Sequence, residues 1–453
     1  MSILLSMALL IFLAYRGFSI LVLAPFLASL AVFLSGNESL LAHYTQIFMV
    51  KLGDFATVYF PLFLLSAIFG KIMENSGSAR SIAEYVSRKI GAENAILSIV
   101  LSCAVLTYGG VSLFVVAFAV YPIAVAVFRE SNTPKRLIPG AIALGSFTFT
   151  MVALPGTPAI QNAIPAQYFG TDTFAAPVIG IVASIVMFVL GMFWMKYQLR
   201  IARENNEGYG NHEDKILSIP PRDLPNFWIA VIPIVLVILI NYISIKFVLP
   251  QMDTAYLREE KYGTIDISTV TGNWAIIVGV FFSIVFLIAC HFRKIDITKC
   301  LNQGATDSLT PIFNTASVVG YGAVINSLPG FALMRDYILS MSPENPLISG
   351  SCVTGLLGAV TGSASGGMSI SLEMMGAKLF AAAGAQGLDP EILHRIIALS
   401  SSTLHALPHN GAIITLLVIC GLTHRDSYRD IFMVSLVSTT IATVVALLIT
   451  MLS

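Results

Sequence analysis

Residues 153–160 read Ala-Leu-Pro-Gly-Thr-Pro-Ala-Ile, and residues 406–413 read Ala-Leu-Pro-His-Asn-Gly-Ala-Ile. Each lies inside a long apolar segment, at about 138–160 and 392–420. A proline in mid-helix removes an amide donor, and its ring clashes with the carbonyl one turn back. Leu154-Pro155-Gly156-Thr157-Pro158 and Leu407-Pro408-His409-Asn410-Gly411 therefore interrupt any helix that contains them. The two stretches stand 253 residues apart. At the same offset Gly109-Gly110-Val111-Ser112 falls on Gly362-Ser363-Ala364-Ser365, so a glycine-rich break precedes each Leu-Pro break by 46 residues.

The surroundings of these breaks are those of a membrane protein. Of 453 residues, 56% are apolar and 11% charged, and the mean hydropathy is +0.83. Soluble chains run near 25% charged, so this one could not cover its own surface in water. Lys+Arg and Asp+Glu are equal at 25 each, which gives no basic field for nucleic acid. The five cysteines are scattered without a Cys-x-x-Cys pair, so neither a disulfide framework nor a zinc site is expected. A span needs about 20 mostly apolar residues. Candidates are 2–15 (short), 17–35, 54–73, 138–160, 174–196, 227–248, 273–290, 304–328, 392–420 and 431–451, about ten crossings. The chain begins apolar, with no basic n-region or small-residue cleavage site, and reads as a retained span. Two further stretches, 95–128 and 346–382, are broken by glycines and read as re-entrant hairpins.

Basic residues set the orientation. With both termini outside, eighteen of the 25 lie inside, in Arg16, 71–89, 129–136, 196–222, 293–299 and 425–429. The other seven, Lys51, Lys246, Arg258, Lys261, Arg335, Lys378 and Arg395, lie outside. The expected fold is an all-α integral membrane protein of two inverted-topology repeats, each of about five transmembrane helices plus one hairpin, with broken helices at the midplane. The first repeat is 1–197: scaffold helices in 1–73, hairpin 95–128, broken helix 138–165 and helix 174–197. A cytoplasmic linker, 198–226, follows. The second repeat is 227–453: scaffold helices in 227–328, hairpin 346–382, broken helix 392–420 and helix 431–451. An amphipathic stretch, 76–90, reads as an interfacial link.

Backbone groups freed in mid-membrane must be buried in protein or line a cavity. Helix N-termini exposed there suit a carboxylate. The candidate substrate contacts are Gly109, Gly110, Ser112, Gly156, Thr157, Gln161, Asn162, Ser363, Ser365, Gly366, Gly367, Thr403 and Asn410. No lysine or arginine lies in the four breaks, so a solute there is held by dipoles and neutral donors. The glycines suit close helix packing as well. His405, His409 and Glu373 are candidate proton carriers, because ionisable groups within spans need a reason. The histidines equally suit freed carbonyls, and Glu373 an interfacial position. Pro408 between the histidines argues against a metal pair, and no metal or other cofactor is expected. Nor is there a nucleotide motif, or the carboxylate or Cys–His cluster of an intramembrane enzyme.

The broken span TFTMVALPGTPAI, the glycine-rich hairpins and SSSTLHALPHNGAI, followed by a polar loop and a last span, resemble the gluconate permease (GntP) family of the ion transporter superfamily, over nearly the whole chain. That resemblance implies a symporter of gluconate or related organic acids, driven by a proton or sodium gradient. It also implies a bacterial inner membrane, a homodimer in the lipid bilayer and elevator-type motion. Two places depart from the gluconate members. Residues 113–118 after the first tip are wholly apolar where a carboxylate is expected, and the first break reads Pro155-Gly156-Thr157-Pro158. A short hydroxy acid such as 3-hydroxybutyrate fits a less polar pocket. A passive anion channel and a sodium-coupled carboxylate transporter of another subfamily are the alternatives.

Overall fold

The computed structural model describes residues 2–452 except Gly17, Asn37, Ser112, 213–223, Gly263, Thr264, Asp266, 332–344 and His409. Every regular element among the described residues is helical. Six helices are by themselves long and apolar enough to span a bilayer: Leu40–Asn75, Pro177–Glu204, Phe227–Gln251, Val270–His291, Ile297–Ser327 and His424–Leu452. The remaining apolar segments are shorter or interrupted. Several boundaries differ from hydropathy alone: the helices around 54–73, 304–328 and 431–451 begin earlier, at Leu40, Ile297 and His424, and that around 174–196 runs on to Glu204, carrying polar turns that a window of apolar residues excludes.

The interruptions fall where proline and glycine place them. The first hairpin has arms Ala95–Tyr108 and Leu113–Glu130. The second has Pro346–Thr361 and Ala364–Ala385, and turns at Gly362, whose φ of 59° is left-handed and suits a residue without Cβ. The first broken helix runs Ile138–Ser146 and Phe149–Val152, then resumes as Ile160–Phe169. The second runs Pro390–Ser401 and resumes as Gly411–Cys420.

Several packing contacts of one half recur in the other. Helix Leu40–Asn75 lies along Ile297–Ser327; Ile20–Ser35 packs on the latter and Ser268–His291 on the former. In both halves the first hairpin arm packs on the first part of the broken helix. The resumed helix crosses over: Ile160–Phe169 packs on the second hairpin's second arm, and Gly411–Cys420 on the first hairpin's second arm. Helices Pro177–Glu204 and His424–Leu452 pack on each other.

Glycines permit the closest of these approaches. A Cβ on Gly145 would meet the carbonyl oxygen of Val100 at 2.5 Å, and one on Gly355 the Thr403 hydroxyl at 2.6 Å. The amphipathic helix Ser78–Ile90 bends by 105° into the first hairpin arm. It is fixed to the far end of the linker by Ser81 Oγ donating to Pro225 O (2.6 Å) and by Tyr85 stacking on Phe227.

Candidate functional site

Four helices start at one place. Leu113, Ile160, Ala364 and Gly411, the first residues after the two tips and the two proline breaks, all line a single cavity of about 1220 Å³. Each N-terminal turn has N–H groups without intrahelical partners and carries about half a positive charge. Two of the turns are capped by their own side chains. Ser363 Oγ accepts from Gly366 N (3.1 Å) and lies 3.4 Å from Ser365 Oγ. Asn410 Oδ1 accepts from Ala412 N (2.7 Å) and Ile413 N (3.1 Å). No side chain caps the helix at Ile160, where Gln161 stands beside the cavity. Thr306, Asp307, Thr310 and Asn314 of helix Ile297–Ser327 also line it, as do Lys71 and Glu74, paired at 3.2 Å. Thr107 Oγ1 and Asn314 Oδ1 line this space buried and without a hydrogen-bond partner in the protein. Such atoms cost about 1–3 kcal/mol each unless something polar meets them.

The carbonyls freed by the breaks are met individually. In the first, Tyr108 Oη donates to Pro155 O (2.8 Å) and Asn162 Nδ2 to Thr157 O (3.1 Å). Arg395 Nη1 donates to Val152 O (3.1 Å). In the second, Asn410 Nδ2 donates to His405 O (3.0 Å) and Tyr428 Oη to Ala406 O (3.0 Å), and His424 Nε2 meets Pro408 O at 2.9 Å. Thr439 Oγ1 donates to Ser402 O (2.9 Å). With no water in a bilayer core, unmet carbonyls would cost several kcal/mol each. Both breaks are therefore built structures, with most of the carbonyls named above met by a specific side chain.

Residues 1–453 match the family described as GntP family permease. The chain belongs to the GntP permease family. It is 43% identical over 452 residues to the uncharacterized transporter YxjC of Bacillus subtilis (strain 168), covering 96% of each chain. An uncharacterized transporter of Haemophilus influenzae (strain ATCC 51907 / DSM 11121 / KW20 / Rd) is 28% identical over 179 residues, 39% of this chain and 40% of that one. In fold, the chain resembles the crystal structure of the Alcanivorax borkumensis YdaH transporter, a structure with an unusual topology, at a TM-score of 0.54 and 16% identity over 90% of each. It is thus a multi-pass membrane transporter of the permease kind and not an enzyme.

Within this GntP permease the sequence candidates divide. Gly110, Gln161, Ser363, Ser365, Gly366, Asn410 and His405 line the cavity. Gly109, Gly156 and Gly367 do not; each lies against protein, within 2.7 Å of Ile234, Phe174 and Gly358 respectively for an added Cβ. Gly110 and Gly366 line the cavity, although a Cβ on Gly110 would also lie 2.7 Å from Pro158 Cγ. Thr157 and Asn162 are fully buried behind the first break, and Thr403 is turned back to Ser400 O (2.8 Å). Glu373 is outside the cavity wall, paired with Lys51 at 3.1 Å and with Tyr168 Oη at 3.3 Å. Ser112 and His409 lie outside the described residues. His405 is buried, with Nδ1 3.0 Å from Ser402 O.

Two things escaped sequence reading. The polar face of helix Ile297–Ser327 was hidden because the helix runs on through Pro311 without a break, so nothing singled it out; Thr306, Thr310 and Asn314, spaced by four, were its trace. Arg395, counted as an exterior loop charge, is fully buried. Its helix begins at Pro390, capped by Asp389 accepting from Glu391 N (2.9 Å), so position 395 is already inside the bundle.

Proposed function

We propose that the protein is a secondary transporter that binds a small organic anion, of the short hydroxy-acid class, where the four helix N-termini meet. The convergence of those ends on one cavity carries the reading: a carboxylate is stabilised by their dipoles and N–H groups, and Ser363, Ser365, Gln161 and Asn410 suit its hydroxyls. Neutral donors hold weakly and release readily, as turnover requires. The contacts that recur between the halves support an inverted repeat, with the two hairpins and two broken helices moving against the pair Leu40–Asn75 and Ile297–Ser327.

The cavity-lining Lys71, Glu74 and Asp307 belong to helix ends that adjoin the basic-rich stretches 71–89 and 293–299, which supports a mouth at this end, an inward-facing cavity and both termini periplasmic in a bacterial inner membrane. Among the described coupling candidates His405 alone lines the cavity, which favours it as the proton carrier. The test is uptake of labelled 3-hydroxybutyrate and gluconate into proteoliposomes under an imposed pH or sodium gradient. Accumulation that stops when the driving gradient is collapsed is expected; uptake indifferent to both gradients overturns symport.

The end away from the mouth carries a second expectation. Lys51 lies 11 residues before Leu62, where the same helix begins to line the cavity, or roughly 16 Å at 1.5 Å per residue. There Lys51 holds Glu373 of the second hairpin, and Tyr59 Oη donates to Gln167 Oε1 (2.7 Å) of the resumed first helix. Alternating access requires these contacts to part. A Lys51→Cys/Glu373→Cys protein, with the native cysteines replaced, is expected to lose uptake on bifunctional thiol cross-linking and to regain it when a cleavable linker is reduced. Undiminished uptake in fully cross-linked protein would show that this end stays closed throughout transport.

A further inference from the structure

Arg395 is the largest fully buried side chain among the described residues, and it makes five hydrogen bonds. Nε and Nη2 donate to Ala175 O (3.0 and 2.8 Å), Nη2 to Thr173 O (3.4 Å), and Nη1 to Val152 O (3.1 Å) and Asn162 Oδ1 (3.0 Å). None of these acceptors is a carboxylate. The two acids in the neighbourhood are engaged elsewhere. Asp172 pairs with Lys246 (3.4 Å) and accepts from Phe174 N (2.7 Å), and Glu391 accepts from Ala176 N (2.9 Å). Space for the guanidinium is left by Gly180, whose added Cβ would sit 3.3 Å from Nε.

A guanidinium stays charged at any accessible pH. Solvated by carbonyl dipoles and in contact with no carboxylate, its charge is offset only from a distance by Asp172 and Glu391, and the rest of its field persists into the low-dielectric interior. Its contact Asn162 lies in the first turn of helix Ile160–Phe169, directly after the cavity-lining Ile160 and Gln161. The charge therefore stands one side chain behind an N-terminus already oriented toward the cavity.

We infer that Arg395 supplies the fixed positive charge of the anion site, as a positioning residue behind the first break that does not touch the solute. This rests on the organic-anion reading, and it accounts for an anion site whose four breaks contain no lysine or arginine. Buried as it is, the charge attracts the carboxylate without forming the tight pair that would slow release.

The experiment measures KM for 3-hydroxybutyrate uptake in Arg395→Met, Arg395→Lys, Asn162→Asp and Asn162→Ala, with folding checked by thermal melting. Arg395→Met is expected to raise KM at least tenfold, and Arg395→Lys to recover most of that, because lysine keeps the charge although it loses the planar fork. A purely structural role predicts that lysine and methionine fail together, and that result overturns the inference. Should Arg395→Met not fold, Asn162→Asp and Asn162→Ala decide together: both lose the Nδ2 bonds to Thr157 O and Thr173 O, and only the aspartate also cancels the charge. A KM raised much further in the aspartate than in the alanine variant sustains the inference, and equal KM values in the two overturn it. Absence of uptake in the wild-type protein of both 3-hydroxybutyrate and gluconate would instead remove the anion reading.

Discussion

Gly366→Val is expected to abolish uptake in a folded protein, whereas Gly367→Val is expected to prevent the second hairpin from closing. The residues are adjacent but meet different surroundings. A Cβ on Gly366 would lie 3.2 Å from the Ser363 side chain and 3.4 Å from Val318 Cγ1, both of which can give by a few tenths of an ångström. The rest of the isopropyl group then stands in the cavity beside the Ser363 cap, where the solute must sit. Misplacing a bound group by about 1 Å already costs roughly 100-fold in rate, and outright occlusion costs more.

A Cβ on Gly367 would lie 2.2 Å from Gly358 N, 2.4 Å from Gly358 Cα and 2.5 Å from Leu357 C. All three atoms are backbone of the facing arm, so no rotamer relieves the clash and the arms must separate. Overpacking in well-fitted interiors costs about 1–3 kcal/mol or more. Size-exclusion profile and melting temperature in detergent read folding, and proteoliposome uptake reads transport. Wild-type uptake in Gly366→Val would remove the second tip from the site. A Gly367→Val protein that melts like wild type would mean that the arms do not meet at Gly358.

The breaks were legible because their chemistry is local. Proline and glycine act on the backbone at their own positions, so Leu154–Pro158, Leu407–Gly411 and the two glycine-rich tips could be placed without tertiary information. The direction in which each side chain points was not local. Asn162 and Thr157 are polar residues beside a break, as Gln161 is, but a helix turns about 100° per residue. Gln161 thus stands at the cavity while Asn162 faces Arg395 and Thr173. Arg395 was misplaced for a related reason: a hydropathy window assigns a charge near a span's edge to water, and only tertiary structure reveals a nest of carbonyls ready to solvate it. Glu373 was read as a proton carrier or an interfacial carboxylate, but its partner Lys51 belongs to a helix that the same window began fourteen residues too late, at 54 where the helix starts at Leu40. The polar face of Ile297–Ser327 belongs to the same class, since one exposed stripe on a continuous helix identifies itself only when the opposite wall is known.

Ser363→Asp is expected to keep the fold and to lose anion uptake. Serine and aspartate are about equally good N-caps, so an aspartate at this position can accept from Gly366 N as Ser363 Oγ does, and its charge further favours the helix start at Ala364. Stability should therefore hold or rise. The same carboxylate lines the cavity at the convergence of the four N-termini and cancels the positive potential that a solute carboxylate requires. Two like charges about 4 Å apart repel by roughly 4 kcal/mol at an effective dielectric constant of 20, close to a thousandfold in binding. KM for 3-hydroxybutyrate should rise by at least about 100-fold, allowing for solvent in the open cavity. Ser363→Asn, an equivalent cap without the charge, should retain far more activity. The pair separates electrostatics from capping: equal loss in both variants would show that the hydroxyl itself binds solute, and wild-type uptake in Ser363→Asp would mean that the anion is held somewhere other than among these helix ends.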